Sequence, residues 1–483
     1  MKEFSTLAEW SEALKSRAVS SVEAVDFFSK RLHSIDPKLN SFITDSCAEA
    51  RELAAKIDVR RMAGEELSDI AGIPFGIKDA IDSAGIRSTG AAKILDTFVP
   101  TFDSTVIKKL RDAGALVIGK QNCDSFGHGA SNENSMYGPV RNPWDVERVA
   151  GGSSGGSAAS VAANLNVFAI GEDTGGSIRA PASFCGVTGL KTSYGRTSRY
   201  GAMPMASSLD TVGPFAHSAE DVAMILQHIA GHDPLDATTA VADVPNYRTE
   251  ISKPITGMKI GVPKEYFTDE LDGEIRARVE AAIAEYKKLG AEIVEITLPH
   301  TKYAIATYYV LVPCEDSSNL ARLDGIRYGV RAEAGDLVRT YSASRTQGFP
   351  DEVKRRIMIG TFALSHGNFD AFYVQAQKVR TLIKRDFDEA FKKVDVIMTP
   401  TTPEVAFKLG DKTTDPIKMY LSDAFVSPAS LAGVCALSVP CGFVEGLPVG
   451  LQIIGPRLKE EIPLRFGHQY QQITNWHTQH PVL

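Results

Sequence analysis

Apolar residues recur at three- and four-residue spacing over Val22, Val25, Phe28, Leu32 and Ile35, a period that predicts an amphipathic helix near the amino terminus. Ser20 followed by Glu23 makes a capping-box pattern that opens this helix, and Asp36-Pro37 is expected to close it. A strand over residues 41–44 and a second helix over 48–62, broken at Gly64, complete a largely helical start. Residues 71–81 then form a short apolar run with a single lysine, Lys78, inside it. Further on, the pattern predicts a helix over 103–113 and a strand over 116–119. A helix and a buried strand follow within the small and apolar stretch 158–170. A helix capped by Ser218 over 218–231 leads to strand 259–262, helix 274–289 and strand 292–296, then to long helices through residue 393. Apolar strands recur at 394–398, 436–439 and 449–454. Strands alternating with helices place the chain in the α/β class. No internal repeat or low-complexity linker divides it. It reads as one domain over 1–483: a helical segment of about 1–65, a core of about 66–232, and a half of about 233–483 that completes the sheet and its pocket.

Two glycine-serine turns interrupt the apolar stretch, Gly151-Gly152-Ser153-Ser154-Gly155-Gly156-Ser157 and Thr174-Gly175-Gly176-Ser177. A linker has polar flanks, whereas these turns are joined by a segment that belongs in a core. A phosphate cradle of the P-loop kind needs Gly-Lys-[Ser/Thr], which is absent here. The remaining reading is catalytic, because glycines let backbone approach a substrate oxygen and serines supply hydroxyl nucleophiles. Lys78 fits that reading. Most lysines are solvated or reach the surface through their stems, but burial disfavours a charged amine, and a neutral one is a competent general base.

Composition adds limits. Of the 483 residues, 43% are hydrophobic and 23% charged, as in soluble globular proteins. A formal net charge of −7 argues against this chain alone being the main grip on a nucleic acid. The six cysteines, at 47, 123, 185, 314, 435 and 441, show no CxxC spacing and suggest reduced thiols. The start, MKEFSTLAEW, has no signal-peptide pattern, and no apolar run reaches about 18 residues, so a cytoplasmic protein away from any membrane is expected. His228 and His232, four apart, read as a surface pair and not as metal ligands.

Ile77-Lys78-Asp79, the turn at 151–157, and Asp173-Thr174-Gly175-Gly176-Ser177-Ile178-Arg179 with Phe184-Cys185-Gly186 and Gly189-Leu190-Lys191 resemble, in order and spacing, the amidase signature family. Within it the whole chain is similar to the branch of glutamyl-tRNA amidotransferase A subunits. That narrower likeness runs through Ser317-Ser318-Asn319-Leu320-Ala321-Arg322, Lys354-Arg355-Arg356-Ile357 and Gln377-Lys378-Val379-Arg380-Thr381-Leu382. The resemblance implies an α/β/α fold with a mixed central sheet covered by helices on both faces. It implies a catalytic Ser–cis-Ser–Lys triad of Ser177, Ser153 and Lys78, with a cis Gly152–Ser153 bond and an oxyanion hole at the amides of Thr174, Gly175, Gly176 and Ser177. Arg356 and Asp423 would bind the α-carboxylate and α-ammonium of glutamine, with Gly129, Tyr308 and Tyr309 also lining the pocket. No cofactor or metal is implied for this chain. The resemblance further implies that ATP, Mg²⁺ and charged tRNA belong mainly to a B subunit and that a small C subunit wraps the A subunit.

Other readings of the same residues stand beside this one. Gly151-Gly152-Ser153-Ser154-Gly155 satisfies the G-x-S-x-G elbow of α/β-hydrolases with Ser153 as nucleophile, but Asp145-Val146-Glu147-Arg148 before it reads as a poor strand. Without the resemblance, Arg356 is an exposed helix arginine and Asp423 a helix cap. The alternative functions are a stand-alone amidase for small amides and a degenerate structural subunit, the second disfavoured by the presence of all three triad residues. Ala80, Gly90, His128 and Pro313-Cys314 depart from the family pattern, and the last pair is expected to alter the pocket wall.

Overall fold

The computed structural model describes residues 4–268 and 271–483. Its strands in chain order are β1 Phe42–Asp45, β2 Pro74–Lys78, β3 Leu116–Gln121, β4 Arg141–Asn142, β5 Asp145–Val149, β6 Phe168–Asp173, β7 Thr188–Lys191, β8 Thr211–Ala216, β9 Lys259–Pro263, β10 Glu292–Ile296, β11 Val396–Pro400, β12 Cys435–Val444 and β13 Leu447–Gly455. Eleven of them form one sheet in the order β1-β3-β2-β6-β8-β7-β12-β13-β11-β9-β10, and β4 and β5 make a separate hairpin. The sheet is mixed. β3, β2 and β6 run parallel, as do β11, β9 and β10, while the pairs from β6 through β8, β7, β12 and β13 to β11 are antiparallel.

Side chains along a strand point alternately to opposite faces, so a strand buried at every position has cover on both. All residues of β2, β3, β6, β8 and β13 are buried. On one face Val449, Leu451 and Ile453 of β13 join a core with Leu464 and Phe466 of the helix Glu461–Gln471 and Val279 of the helix Gly273–Lys288. On the other, Ile454 packs in a second core with Leu311 and Ile383, from the helices Ala304–Asn319 and Gln375–Ala390. The α/β/α expectation holds.

The capping box forms as expected: Ser20 Oγ accepts from Glu23 N at 3.1 Å, and the Glu23 carboxylate accepts from Ser20 N at 2.8 Å. The helix does not stop at Asp36-Pro37 but runs Ser21–Leu39. Asn40 ends it in the left-handed region at φ 57°, a conformation asparagine tolerates. Asp36 meanwhile accepts from the amides of Ser41 and Phe42 and ties the helix end to β1. β5 corrects the reading of 145–148 as a poor strand: it pairs with β4 outside the main sheet, where no apolar alternation is needed. β8 had no counterpart in the pattern, because its Gly213-Pro214 pair reads as a turn, yet Pro214 sits opposite Ile170 in the middle of the sheet. The helical reading through 393 is interrupted between the helices Ala304–Asn319 and Leu337–Gly348.

Candidate active site

β2 and β6 are neighbours in the sheet, with Ile77 opposite Ile170. Lys78 is the last residue of β2, and its amine is buried within the molecule. Its Nζ lies 2.8 Å from Ser153 Oγ. Ser153 follows a cis peptide bond at Gly152–Ser153, and the helix Gly155–Ala162 starts two residues later. The Ser154 amide donates to Ser177 O at 3.2 Å, which holds the two serine turns together. Lys78, Ser153 and the Ser177 turn, predicted from separate motifs, therefore meet at the ends of β2 and β6.

The Ser177 turn is fastened by a buried ion pair. Arg179 donates through Nη2 to Asp173 Oδ1 at 2.9 Å and through Nε to Asp173 Oδ2 at 3.1 Å. Its remaining nitrogen bonds go to Val426 O, Gln452 Oε1 and Ser430 Oγ. Asp173 also accepts from the amides of Gly176 and Ile178. Burial alone would raise the Asp173 carboxyl, but Arg179 outweighs it and holds the group down at about 2. Of the four amides named for an oxyanion hole, that of Gly176 is thus engaged by Asp173. Gly176 stands at φ 136°, and a side chain there would strike Val426; one at Gly175 would meet the Tyr308 hydroxyl at 2.5 Å. Tyr308 consequently lies directly over the Ser177 turn.

Arg356 and Asp423 are neither an exposed arginine nor a cap. Arg356 is 2% exposed and Asp423 7%; Val426 is the N-cap of the helix Ser427–Ala432, and the Asp423 carbonyl accepts from Val426 N and Ser427 N in the turn before it. Its carboxylate accepts from the Tyr309 hydroxyl at 2.9 Å. The Arg356 guanidinium carbon lies 5.0 Å from the centre of the Tyr309 ring and 5.4 Å from that of Tyr420, and the two rings stack 3.7 Å apart. Glu352 Oε1 accepts from Arg356 Nε at 2.8 Å and from the Tyr420 hydroxyl at 2.9 Å. Gly360 permits the convergence. A side chain at Gly360 would strike Pro313 O, so the helices Ala304–Asn319 and Asp351–Ala363 cross with backbones touching. Tyr309 and Arg356 lie one turn before that crossing on their respective helices. Burial pushes the Asp423 carboxyl up to about 7, against the pull of Tyr309 and Arg356.

Gly129 is placed less directly. A side chain there would strike the carboxylate of Asp124, as would one at Gly152, and Asp124 accepts from Asn132 N and Asn134 N at 2.9 Å each. Asp124 thus buttresses the cis-peptide loop. His128 is buried, with Nδ1 3.0 Å from both Ser125 O and Phe126 O, and Nε2 2.9 Å from Asp316 Oδ2. His228 and His232 turn to different partners, Asp69 and Thr239. Asp124, Glu172, Glu352 and Tyr420 were not singled out in the sequence. They sit outside the motifs, and only the fold brings them in.

The family model named Amidase matches residues 23–464. The chain belongs to this family, the amidase signature enzymes. It is 50% identical over 479 residues to the glutamyl-tRNA(Gln) amidotransferase A subunit of Heliobacterium modesticaldum, covering 99% of this chain and 98% of that one. The corresponding A subunit of Koribacter versatilis is 54% identical over 458 residues, covering 94% and 95%. Among solved structures, the A subunit from Thermotoga maritima matches with TM-score 0.77 at 40% identity, over 92% of this chain and 90% of that chain. The native peptide amidase of Stenotrophomonas maltophilia matches with TM-score 0.82 at 30% identity, over 97% of each. This amidase-signature chain therefore shares its fold with a peptide amidase and almost its full length with amidotransferase A subunits.

Proposed function

We propose that this amidase-signature protein is the glutaminase subunit of a tRNA-dependent amidotransferase. The observation that carries the reading is the Arg356–Tyr309–Asp423 cluster. It offers a buried cation and a buried carboxylate on either side of one phenol, and it adjoins the nucleophile turn through Tyr308 and Val426. A free amino acid has both charges, and a peptide or simple amide does not present them together. Arg356 would bind the α-carboxylate and Asp423 the α-ammonium. The names of the relatives above support the same reading.

In this reading Ser177 Oγ attacks the γ-amide carbon, its proton passes to Ser153, and Ser153 hands its own to the Lys78 amine, which acts as the base. The C–N bond breaks as Lys78 returns a proton to the leaving nitrogen, giving ammonia and a glutamyl ester on Ser177. The amides of Thr174, Gly175 and Ser177 would receive the developing oxyanion, since that of Gly176 is committed to Asp173. Water then cleaves the ester. A partner B subunit, holding ATP and Mg²⁺, uses the ammonia to amidate Glu-tRNA(Gln), and a C subunit completes a cytoplasmic heterotrimer.

Co-expression with the B and C subunits followed by a glutaminase assay with and without charged tRNA tests this. Copurification and tRNA-stimulated ammonia release are expected. A chain that stays alone and cleaves small amides in preference to glutamine would be a free-standing amidase instead.

A further inference from the structure

Glu172 is the residue before Asp173 on β6, and its side chain is 1% exposed. Its Oε2 stands 3.6 Å from Lys78 Nζ, and its backbone oxygen stands 3.5 Å from the same amine. Neither carboxyl oxygen has a hydrogen-bond partner among the described residues. Glu172 also borders a cavity of about 260 Å³, whose lining includes Arg199, Asp210, Arg322 and the exposed Leu235. A buried carboxylate without donors is costly, and a group that alternates between acid and carboxylate finds here an amine on one side and room for water on the other.

Proton balance gives such a group work. Resting on the glutaminase reading, the overall reaction joins a water oxygen to the γ-carbon and breaks the C–N bond, leaving a carboxylate, ammonia and one proton. Ammonia passed on unprotonated does not carry that proton away. It stays on Lys78, where it disables the base for the next turnover.

We propose that Glu172 takes this proton from Lys78 and releases it to water in the cavity, so that the triad is reset through its rear wall. The Lys78 N–H bond breaks as the Glu172 Oε2–H bond forms, and the acid then returns to carboxylate by giving its proton to water; no oxidant or reductant takes part. The ionisable groups facing Glu172 are Lys78 from β2, Asp210 from the segment before β8 and Arg199 from the segment after β7. Burial holds its carboxyl up at about 8, against the pull of Lys78 and Arg199, so that both forms are populated near neutral pH.

Glu172→Gln keeps the shape and removes the proton acceptor. Rapid-quench measurement of ammonia from the assembled enzyme should then show one fast equivalent per active site and a steady state slower by about a hundredfold. Glu172→Asp should restore most of the steady-state rate, and formate should raise the rate of Glu172→Ala by about tenfold, since it fits the vacated space. Linear ammonia release at the parental rate in Glu172→Gln overturns the proposal. So does a first turnover slowed as much as the later ones, which would make Glu172 a support for Lys78 alone. If the parent releases no ammonia from glutamine, the glutaminase reading fails separately, and the same two rates on an amide it does cleave still decide the role of Glu172.

Discussion

Tyr309 donates its phenolic hydrogen to Asp423 Oδ2 over 2.9 Å, a contact that joins the helix Ala304–Asn319 to the turn leading into the helix Ser427–Ala432. The same ring lies beneath Arg356, so one side chain spaces the two charges of the proposed glutamine pocket. Tyr309→Phe keeps the ring stacking and deletes the bond to a charged acceptor, worth about 1.5–3 kcal/mol. The KM for glutamine should rise by about tenfold or more, and because the bond is already present in the free protein its loss should lower thermal stability as well. An unchanged KM would detach Tyr309 from the pocket.

Asp423 gives that pocket a pH dependence. Burial raises its carboxyl to about 7 in the free protein, so below that pH it is increasingly protonated and offers no charge to an α-ammonium group. kcat/KM for glutamine should therefore fall as pH drops below about 7. Labelling of Ser177 by an acylating probe without an amino group should lack this limb, and so should residual glutamine turnover by Asp423→Asn. A limb that persists in Asp423→Asn belongs to another group.

The triad predicts distinct losses. Ser177→Ala removes the oxygen that accepts the acyl group and should abolish both glutaminase activity and labelling by an electrophilic glutamine analogue. Lys78→Ala should cut turnover by about 10²-fold or more, since it removes the amine bonded to Ser153 Oγ, and circular dichroism should show a folded chain. Labelling that survives in Ser177→Ala and vanishes in Ser153→Ala would instead make Ser153 the nucleophile.

The three residues of the proposed triad were legible because Ser153 and Ser177 sit in glycine-serine turns, Lys78 is the single lysine of an apolar run, and the three motifs together resemble the amidase signature. The paired strands behind them were legible as apolar runs. The pocket was not. Arg356 looks like a surface arginine on its own helix, and what buries it is the crossing at Gly360 and Pro313, between residues 47 positions apart in the chain. Glu352 and Tyr420 enter only by touching Arg356 and its neighbours. Glu172 was hidden for a different reason: in a strand it reads as one polar position, and its significance depends on Lys78 arriving from the next strand. Strand β8 was missed because Gly-Pro is a turn signal that central sheet position overrides.

Asp173 and Arg179 fasten the Ser177 turn. Every partner of the Arg179 guanidinium is buried, so Asp173→Asn leaves a charge without its counter-ion and should cost about 3–5 kcal/mol. The carboxyl lies at about 2 in the folded chain, below the unfolded value of about 3.9. The pair's contribution is thus complete above about pH 4 and lost as pH falls towards 2. Chemical denaturation of parent and variant between pH 7 and about pH 3 should show the difference between them shrinking with acid. A difference that does not change would mean that the charge of Asp173 is not what holds the turn.

Chemistry and specificity separate most cleanly at Arg356 and Asp423, which touch neither Lys78 nor Ser153 yet present the two charges a free amino acid needs. Arg356→Ala or Asp423→Ala strands one charged end of the ligand in a desolvated pocket, so about 2–5 kcal/mol of affinity should go. The loss should appear mostly in KM if the contact persists unchanged into the transition state. Removing Arg356 also leaves Glu352 with a reduced partner set, so stability must be measured alongside. Supplying ammonium chloride to the assembled amidotransferase bypasses the glutamine pocket, and amidation of the charged tRNA from ammonia should survive both substitutions. If both variants use glutamine as well as the parent does, the pocket lies elsewhere. If they lose ammonia-dependent amidation as well, Arg356 and Asp423 hold the subunits together and the cluster around Tyr309 is structural.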